Sequence, residues 1–170
     1  MNWLQTQNQQ NPQTLFIQEG GHAYSFIDIA EMVQTYSQSL LIEGIQPNDR
    51  ILIYLPGGSQ MAEIILACFE IGATATPISP MLSERERRAV IDKIQPKLII
   101  TNWEYKASFS SYSLPLTPIE ELPNSARGCS IVKNSYKQNS DDIAVIILTS
   151  GTTGIPKAVQ LSYGNFKTSC

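Results

Sequence analysis

The chain is 170 residues long, 42% hydrophobic and 16% charged, with a formal net charge of −3. That length and apolar content suffice for one domain with a buried core and exclude a chain disordered throughout. Negative net charge removes any general attraction to nucleic acid or to an anionic membrane, so phosphate binding has to come from a local site. Met1 to Gly21 contains neither a basic segment nor an apolar segment of signal-peptide type, and no apolar run is long enough to span a bilayer. A cytoplasmic protein without a membrane span is expected. Cys68, Cys129 and Cys170 are far apart and form no C-x-x-C pair. Cys68 falls in an apolar helical pattern, as a small buried hydrophobe would. His22, the only histidine, follows Gly20-Gly21 and reads as a solvated turn residue.

In chain order, Asn2 to Gln10 is a short polar helix stopped at Asn11-Pro12. Thr14–Gln18 and His22–Ser25 flank Glu19-Gly20-Gly21 and read as a β-hairpin. Ser25 is a candidate N-cap, and Ile29, Met32, Val33, Tyr36 and Leu40 recur at helical spacing up to Gly44. After the Gln46–Arg50 turn, the run Ile51–Leu55 is continuous and apolar, as in a buried strand. Ser59 is expected to cap a helix through Met61, Ile64, Ile65, Cys68 and Phe69 to Gly72, and Ala73–Thr76 is the next strand. A strand, helix, strand unit of this length predicts a parallel pair with a right-handed crossover. The fold class is therefore α/β, a layered sheet of largely parallel strands with helices on both faces.

Ser83-Glu84-Arg85-Glu86 is a capping box, and its helix runs to about Ile94 with Ala89, Val90, Ile91 and Ile94 inward. Arg85, Arg87, Arg88 and Lys93 alternate with Glu84, Glu86 and Asp92, which reads as a balanced solvated face. Pro96 ends that helix, and Lys97–Thr101 is a third buried strand. From Asn102 to Ser140 the signal weakens into short strands and surface loops around Pro115, Pro118 and Pro123. Gly57-Gly58 after a strand is a weak candidate for an anion site, having neither a lysine nor a further glycine beside it.

Ile143 to Leu148 reads as a strand buried on both faces. It empties into Thr149-Ser150-Gly151-Thr152-Thr153-Gly154-Ile155-Pro156-Lys157, a loop of hydroxyls, two glycines and a lysine. Gly151 and Gly154 let backbone N–H groups turn toward a common point, Thr149, Ser150, Thr152 and Thr153 add hydroxyl donors, and Lys157 adds a positive charge. Pro156 fixes one φ and so the direction in which the lysine leaves. The lysine follows the second glycine by three positions, unlike a Walker A loop, and the dinucleotide fingerprint is absent. Val159–Leu161 reads as a short strand, and Ser162–Phe166 opens a helix.

This loop resembles the T-S-G-T-T-G-x-P-K signature of the adenylate-forming superfamily, which includes acyl-CoA and aryl-CoA ligases, peptide-synthetase adenylation domains and beetle luciferases. Gly44 to Ile51 is similar to its G-x-x-P-G-D-R-V turn, Gly72 to Ile78 with Leu82-Ser83 to its G-A-x-x-x-P…L-S segment, and Asp141 to Ala144 to its D-D-x-A lead-in. One departure stands out: the family has glycine after the lysine, and this chain has Ala158. Asn2-Trp3-Leu4, Ala67-Cys68-Phe69 and Ser162 to Asn165 look most like the 2-succinylbenzoate–CoA ligases of menaquinone synthesis.

The resemblance implies a carboxylate that attacks the α-phosphate of ATP to give an acyl-adenylate and pyrophosphate, followed by displacement of AMP by coenzyme A. It implies ATP and Mg²⁺ at the loop, coenzyme A as co-substrate, a small-molecule carboxylic acid as partner, and no nucleic acid. Phosphate binding would fall to Thr149, Ser150, Gly151, Thr152, Thr153, Gly154 and Lys157. The family's adenine, ribose, magnesium-glutamate and catalytic-lysine motifs follow the loop and have no counterpart here. Residues 1–170 are thus expected to be a partial N-terminal AMP-binding domain, the C-terminal domain absent, with an exposed sheet edge that favours a homo-oligomer. Two other readings remain: an adenylation module of a peptide synthetase, and a truncated, non-catalytic phosphate-binding protein.

Overall fold

The computed structural model describes residues 3–125, 134, 136–149 and 157–169. Helix α1 (Trp3–Gln10) and the antiparallel hairpin β1 (Leu15–Glu19) and β2 (His22–Ser25) precede the main sheet. Helix α2 (Phe26–Ile42) starts with a capping box, in which Ser25 receives the Asp28 N–H and the Asp28 carboxylate receives the Ser25 N–H. Its Ile29, Val33, Tyr36 and Leu40 are buried, as their spacing requires.

Six strands form one sheet in the order β6-β5-β3-β4-β7-β8. They are β3 (Arg50–Tyr54), β4 (Thr74–Ile78), β5 (Leu98–Thr101), β6 (Leu116–Pro118), β7 (Ile143–Thr149) and β8 (Lys157–Ser162). Every neighbouring pair is parallel except β7 with β8. The alternation of side chains along β3 splits the core. Ile51 and Ile53, continued by Leu55, pack with α2 and with Ile64, Ala67, Cys68 and Ile71 of α3 (Ser59–Ile71) on one face. Leu52 and Tyr54 pack with Val90, Ile91 and Ile94 of α4 (Glu84–Ile94) on the other. Since β3 continues into α3 and β4 into α4, their crossovers leave adjacent strands toward opposite faces. That opens a crevice outside the carboxyl ends of β3 and β4, the usual place for ligands in open α/β sheets.

Cys68 is fully buried and His22 exposed, as expected. Four expectations need correction. Ser59 does not cap α3: the cap residue is Gly58, with no side-chain cap bond, and Ser59 is the first helical residue. Its N–H and hydroxyl instead donate to the Glu19 carboxylate at 3.0 and 2.8 Å, so the hairpin supplies the group that a local side chain was expected to supply. Arg87 does not lie on a solvated face but is only 9% exposed, packed against the rings of Tyr54 and Phe109, which meet each other edge to face. Strand β7 is buried on both faces only over Ala144, Val145 and Ile146, since Ile147 is exposed. Within the stretch expected to hold short strands and loops, residues 102–125 include the short strand β6 and also, unexpectedly, a 3-10 turn at Lys106–Phe109 and α5 (Leu122–Ser125), whose Leu122 reaches the core.

Candidate phosphate-binding site

Strand β7 lies beside β4, with Ala75 in register with Val145. Its start is tied down by bonds at Asp142 and Ile143. The Asp142 carboxylate accepts the Tyr136 hydroxyl at 2.8 Å, the Asp142 carbonyl accepts the Tyr163 N–H, and the Ile143 carbonyl accepts the Thr74 hydroxyl. Burial first, and then the bond to Asp142, push the Tyr136 hydroxyl up to about 12. The Tyr136 ring also lies over Gly72, where an added Cβ would come within 2.6 Å of ring carbons. Only the acidic pair before the strand was a sequence cue for this anchor; nothing local marks Tyr136 as its partner.

From that anchor β7 runs to Thr149 at the carboxyl edge of the sheet, and β8 returns antiparallel with Leu148 opposite Ala158 and Thr149 opposite Lys157. The register thus brings the first and last of the expected site residues directly across from each other. The Thr149 hydroxyl donates to the Lys157 carbonyl at 3.5 Å, and both side chains are exposed. Ser150, Gly151, Thr152, Thr153 and Gly154 lie outside the described residues. Lys157 was expected within the loop; it is instead the first residue of β8, its backbone fixed by pairing with Thr149. All fifteen Asp and Glu residues are among those described, and none forms an ion pair with Lys157. Its ammonium is therefore available to an anion.

Ala158 does not adopt a positive φ, because Asn48 and Gln95 are the only non-glycine residues that do so among those described. Its methyl packs against the α4-side core. Alanine is therefore accommodated where the resembling family has glycine.

The described residues fit a phosphate better than they fit a free metal ion. An unneutralised ammonium opposite a hydroxyl at a parallel-strand carboxyl edge suits an anion. No group of three His, Cys, Asp or Glu that could hold a metal occurs among the described residues. A magnesium ion held mainly by phosphate oxygens and water needs no such cage.

Residues 4–170 match the family described as AMP-binding enzyme. The chain belongs to that family. Among AMP-binding enzymes it is 31% identical over 164 residues to a 2-succinylbenzoate–CoA ligase of Oceanobacillus iheyensis, covering 96% of this chain and 34% of the relative. It is 26% identical to a medium-chain fatty-acid–CoA ligase of Escherichia coli, covering 96% of this chain and 32% of that protein. The fold superposes with a TM-score of 0.86 and 21% identity on O-succinylbenzoate coenzyme A synthetase of Bacillus subtilis, solved in complex with ATP and magnesium ion, over 99% of this chain and 45% of that one. The chain thus spans about a third of the length of these curated relatives, 34% and 32%. No helix among the described residues is long and apolar enough to cross a membrane.

Proposed function

We propose that residues 1–170 form the front part of the nucleotide-binding N-terminal domain of an ATP-dependent carboxylic acid–CoA ligase, whose C-terminal domain lies outside this sequence. The observation that carries the reading is the register pair Thr149 and Lys157, which closes the T-S-G-T-T-G-I-P-K segment at the ligand end of a parallel sheet. Backbone N–H groups of Gly151 to Gly154 and the hydroxyls of Thr149, Ser150, Thr152 and Thr153 receive the ATP phosphates, and Lys157 provides the counter-charge. The substrate carboxylate attacks the α-phosphate and pyrophosphate leaves; the thiol of coenzyme A then displaces AMP to give the thioester. Positioning and electrostatic stabilisation carry such a step, and this loop supplies both. Mg²⁺, when bound with the nucleotide, adds neutralising charge on the phosphates.

The acid is an aromatic dicarboxylate of the 2-succinylbenzoate type. The match to a 2-succinylbenzoate–CoA ligase at 31%, against 26% for a fatty-acid–CoA ligase over a similar length, supports that choice. Carboxylate-dependent ATP–pyrophosphate exchange in the full-length protein tests the site. Lys157→Ala and Thr153→Ala should each lose on the order of a hundredfold in exchange rate, the usual cost of one preorganised donor. Unchanged exchange in both variants removes the phosphate assignment.

A further inference from the structure

Among the described residues, Arg87 is the one buried cation, and its guanidinium is incompletely satisfied. It is 9% exposed, and Nη1 donates to the Tyr54 hydroxyl and to the Leu82 carbonyl, both at 3.3 Å, longer than charge-assisted bonds normally are. Nε is buried and has no partner. All fifteen Asp and Glu residues are among those described, and none forms an ion pair with Arg87. The Tyr54 and Phe109 rings, with centroids 5.6 and 5.4 Å from the guanidinium carbon, offset part of the desolvation. An apolar side chain of the same length would fill that space with no charge to desolvate.

We infer that Arg87 is an oxyanion-binding residue, taking a carboxylate or phosphate group of a small molecule on the Nε edge of its guanidinium. That edge presents two parallel donors to a planar or tetrahedral oxyanion. The other edge is already oriented, because the Tyr54 hydroxyl that receives Nη1 itself donates to the Pro80 carbonyl at 2.8 Å. The position is where open α/β sheets bind ligands: Tyr54 ends β3, residues 79–83 follow β4, and the crossovers after these two adjacent strands go to opposite faces. Residues 79–83, which cover Arg87 through the Leu82 carbonyl, are at the surface, with Ser79, Met81 and Ser83 exposed and Met81 reaching 94%. Two further polar atoms on the α4 side of the sheet, Thr76 Oγ1 and the Tyr112 hydroxyl, are also buried without partners, so hydrogen-bonding capacity remains on this face. The inference does not depend on the ligase reading.

The test uses the full chain labelled with nitrogen-15, following the Arg87 Nε–H resonance, assigned by its loss in Arg87→Lys. Inorganic phosphate and succinate are titrated separately, against sodium chloride at matched ionic strength. At least one anion should shift the resonance saturably, and calorimetric binding of that anion should weaken at least about tenfold in Arg87→Lys and Arg87→Met. A response to phosphate alone assigns a phosphoryl ligand, to succinate alone a carboxylate. Arg87→Met should also resist urea at least as well as the parent chain when no anion is present; if it fails to fold, Arg87→Lys carries the binding comparison. No saturable shift with either anion, or undiminished binding in the variants, overturns the inference and leaves Arg87 as a clamp on residues 79–83.

Discussion

Glu19, the last residue of β1, accepts two hydrogen bonds from Ser59, forty positions away at the start of α3. The carboxylate sits where a helix N-terminus draws an anion, and it approaches so closely that a Cβ on Gly58 would lie 2.0 Å from Glu19 Oε1. The hairpin therefore substitutes for a local cap, and glycine at 58 is the condition for it. Gly58→Ala should destabilise the protein both through its backbone, which sits at φ +158°, and by displacing that carboxylate, so it should cost less in a Glu19→Ala background. Urea unfolding of the two single variants and the double variant measures the coupling. Additive losses would show that Gly58 is needed only for its backbone.

The same carboxylate gives stability a two-sided dependence on pH. The backbone and hydroxyl bonds from Ser59 hold Glu19 below the ordinary carboxyl value of 4.5. Its contribution is therefore present above that value and is lost as pH falls through the folded-state value. Glu63, one turn along α3 and buried, is raised above 4.5, first by burial and then by the charge of Glu19. Folding favours its protonated form, so stability from this group is present below 4.5 and declines as pH rises through the raised value. Glu63→Gln should stabilise the chain at neutral pH, with the advantage fading under acid; Glu19→Gln should do the reverse, removing stability at neutral pH and little under acid. Denaturant midpoints across that range check both signs, and a Glu63→Gln variant weakened at neutral pH would show that the carboxylate is wanted ionised.

Ala158 lies in β8 without a positive φ and its methyl meets the α4-side core. Restoring the glycine of the resembling loop should therefore relieve no strain. Ala158→Gly is expected to lose about 0.5–1 kcal/mol through the greater backbone entropy of glycine in a strand. A gain in the unfolding free energy would show strain at this position.

The sheet and its helices were legible because their signals are local. Apolar runs at 51–55 and 98–101, capping serines at 25 and 83 and a stop at Gly72 each act within a few residues, and strands and helices follow them. What could not be read depends on pairs remote in sequence. Ser59 looks like an N-cap until Glu19 arrives from the hairpin, and Arg87 looks solvated because its charge pattern says nothing of Tyr54 and Phe109 across the layer. At the site, composition pointed to phosphate and to Lys157, but the pairing of Lys157 with Thr149 is a matter of strand register.

Substrate choice follows from the proposed ligase reading. The full-length protein should form thioesters from 2-succinylbenzoate in preference to medium- and long-chain fatty acids when offered a panel of carboxylic acids with ATP and coenzyme A. A clear preference for fatty acids would replace the dicarboxylate assignment and leave membership of the AMP-binding enzyme family untouched.

The 170-residue chain by itself should not turn over. It spans 34% of a related CoA ligase, and of the expected site residues only the phosphate-suited pair Thr149 and Lys157 is among those described. Its surface also invites association. Among the described strands β8 pairs only with β7, so one row of its backbone N–H and C=O groups has no partner strand. Ile147 and Val159, directly opposite each other across that pair, are 41% and 42% exposed and form an apolar patch on one face of it. Helix α6 (Tyr163–Ser169) is two turns long, too short to persist without the packing of Tyr163 and Phe166 on Phe69. The expected outcome is weak or absent Mg·ATP binding by calorimetry, no pyrophosphate exchange, and self-association in sedimentation that falls when Ile147 and Val159 are changed together to threonine. Adenylate formation by this chain would mean that the groups needed for the first half-reaction already lie within residues 1–170.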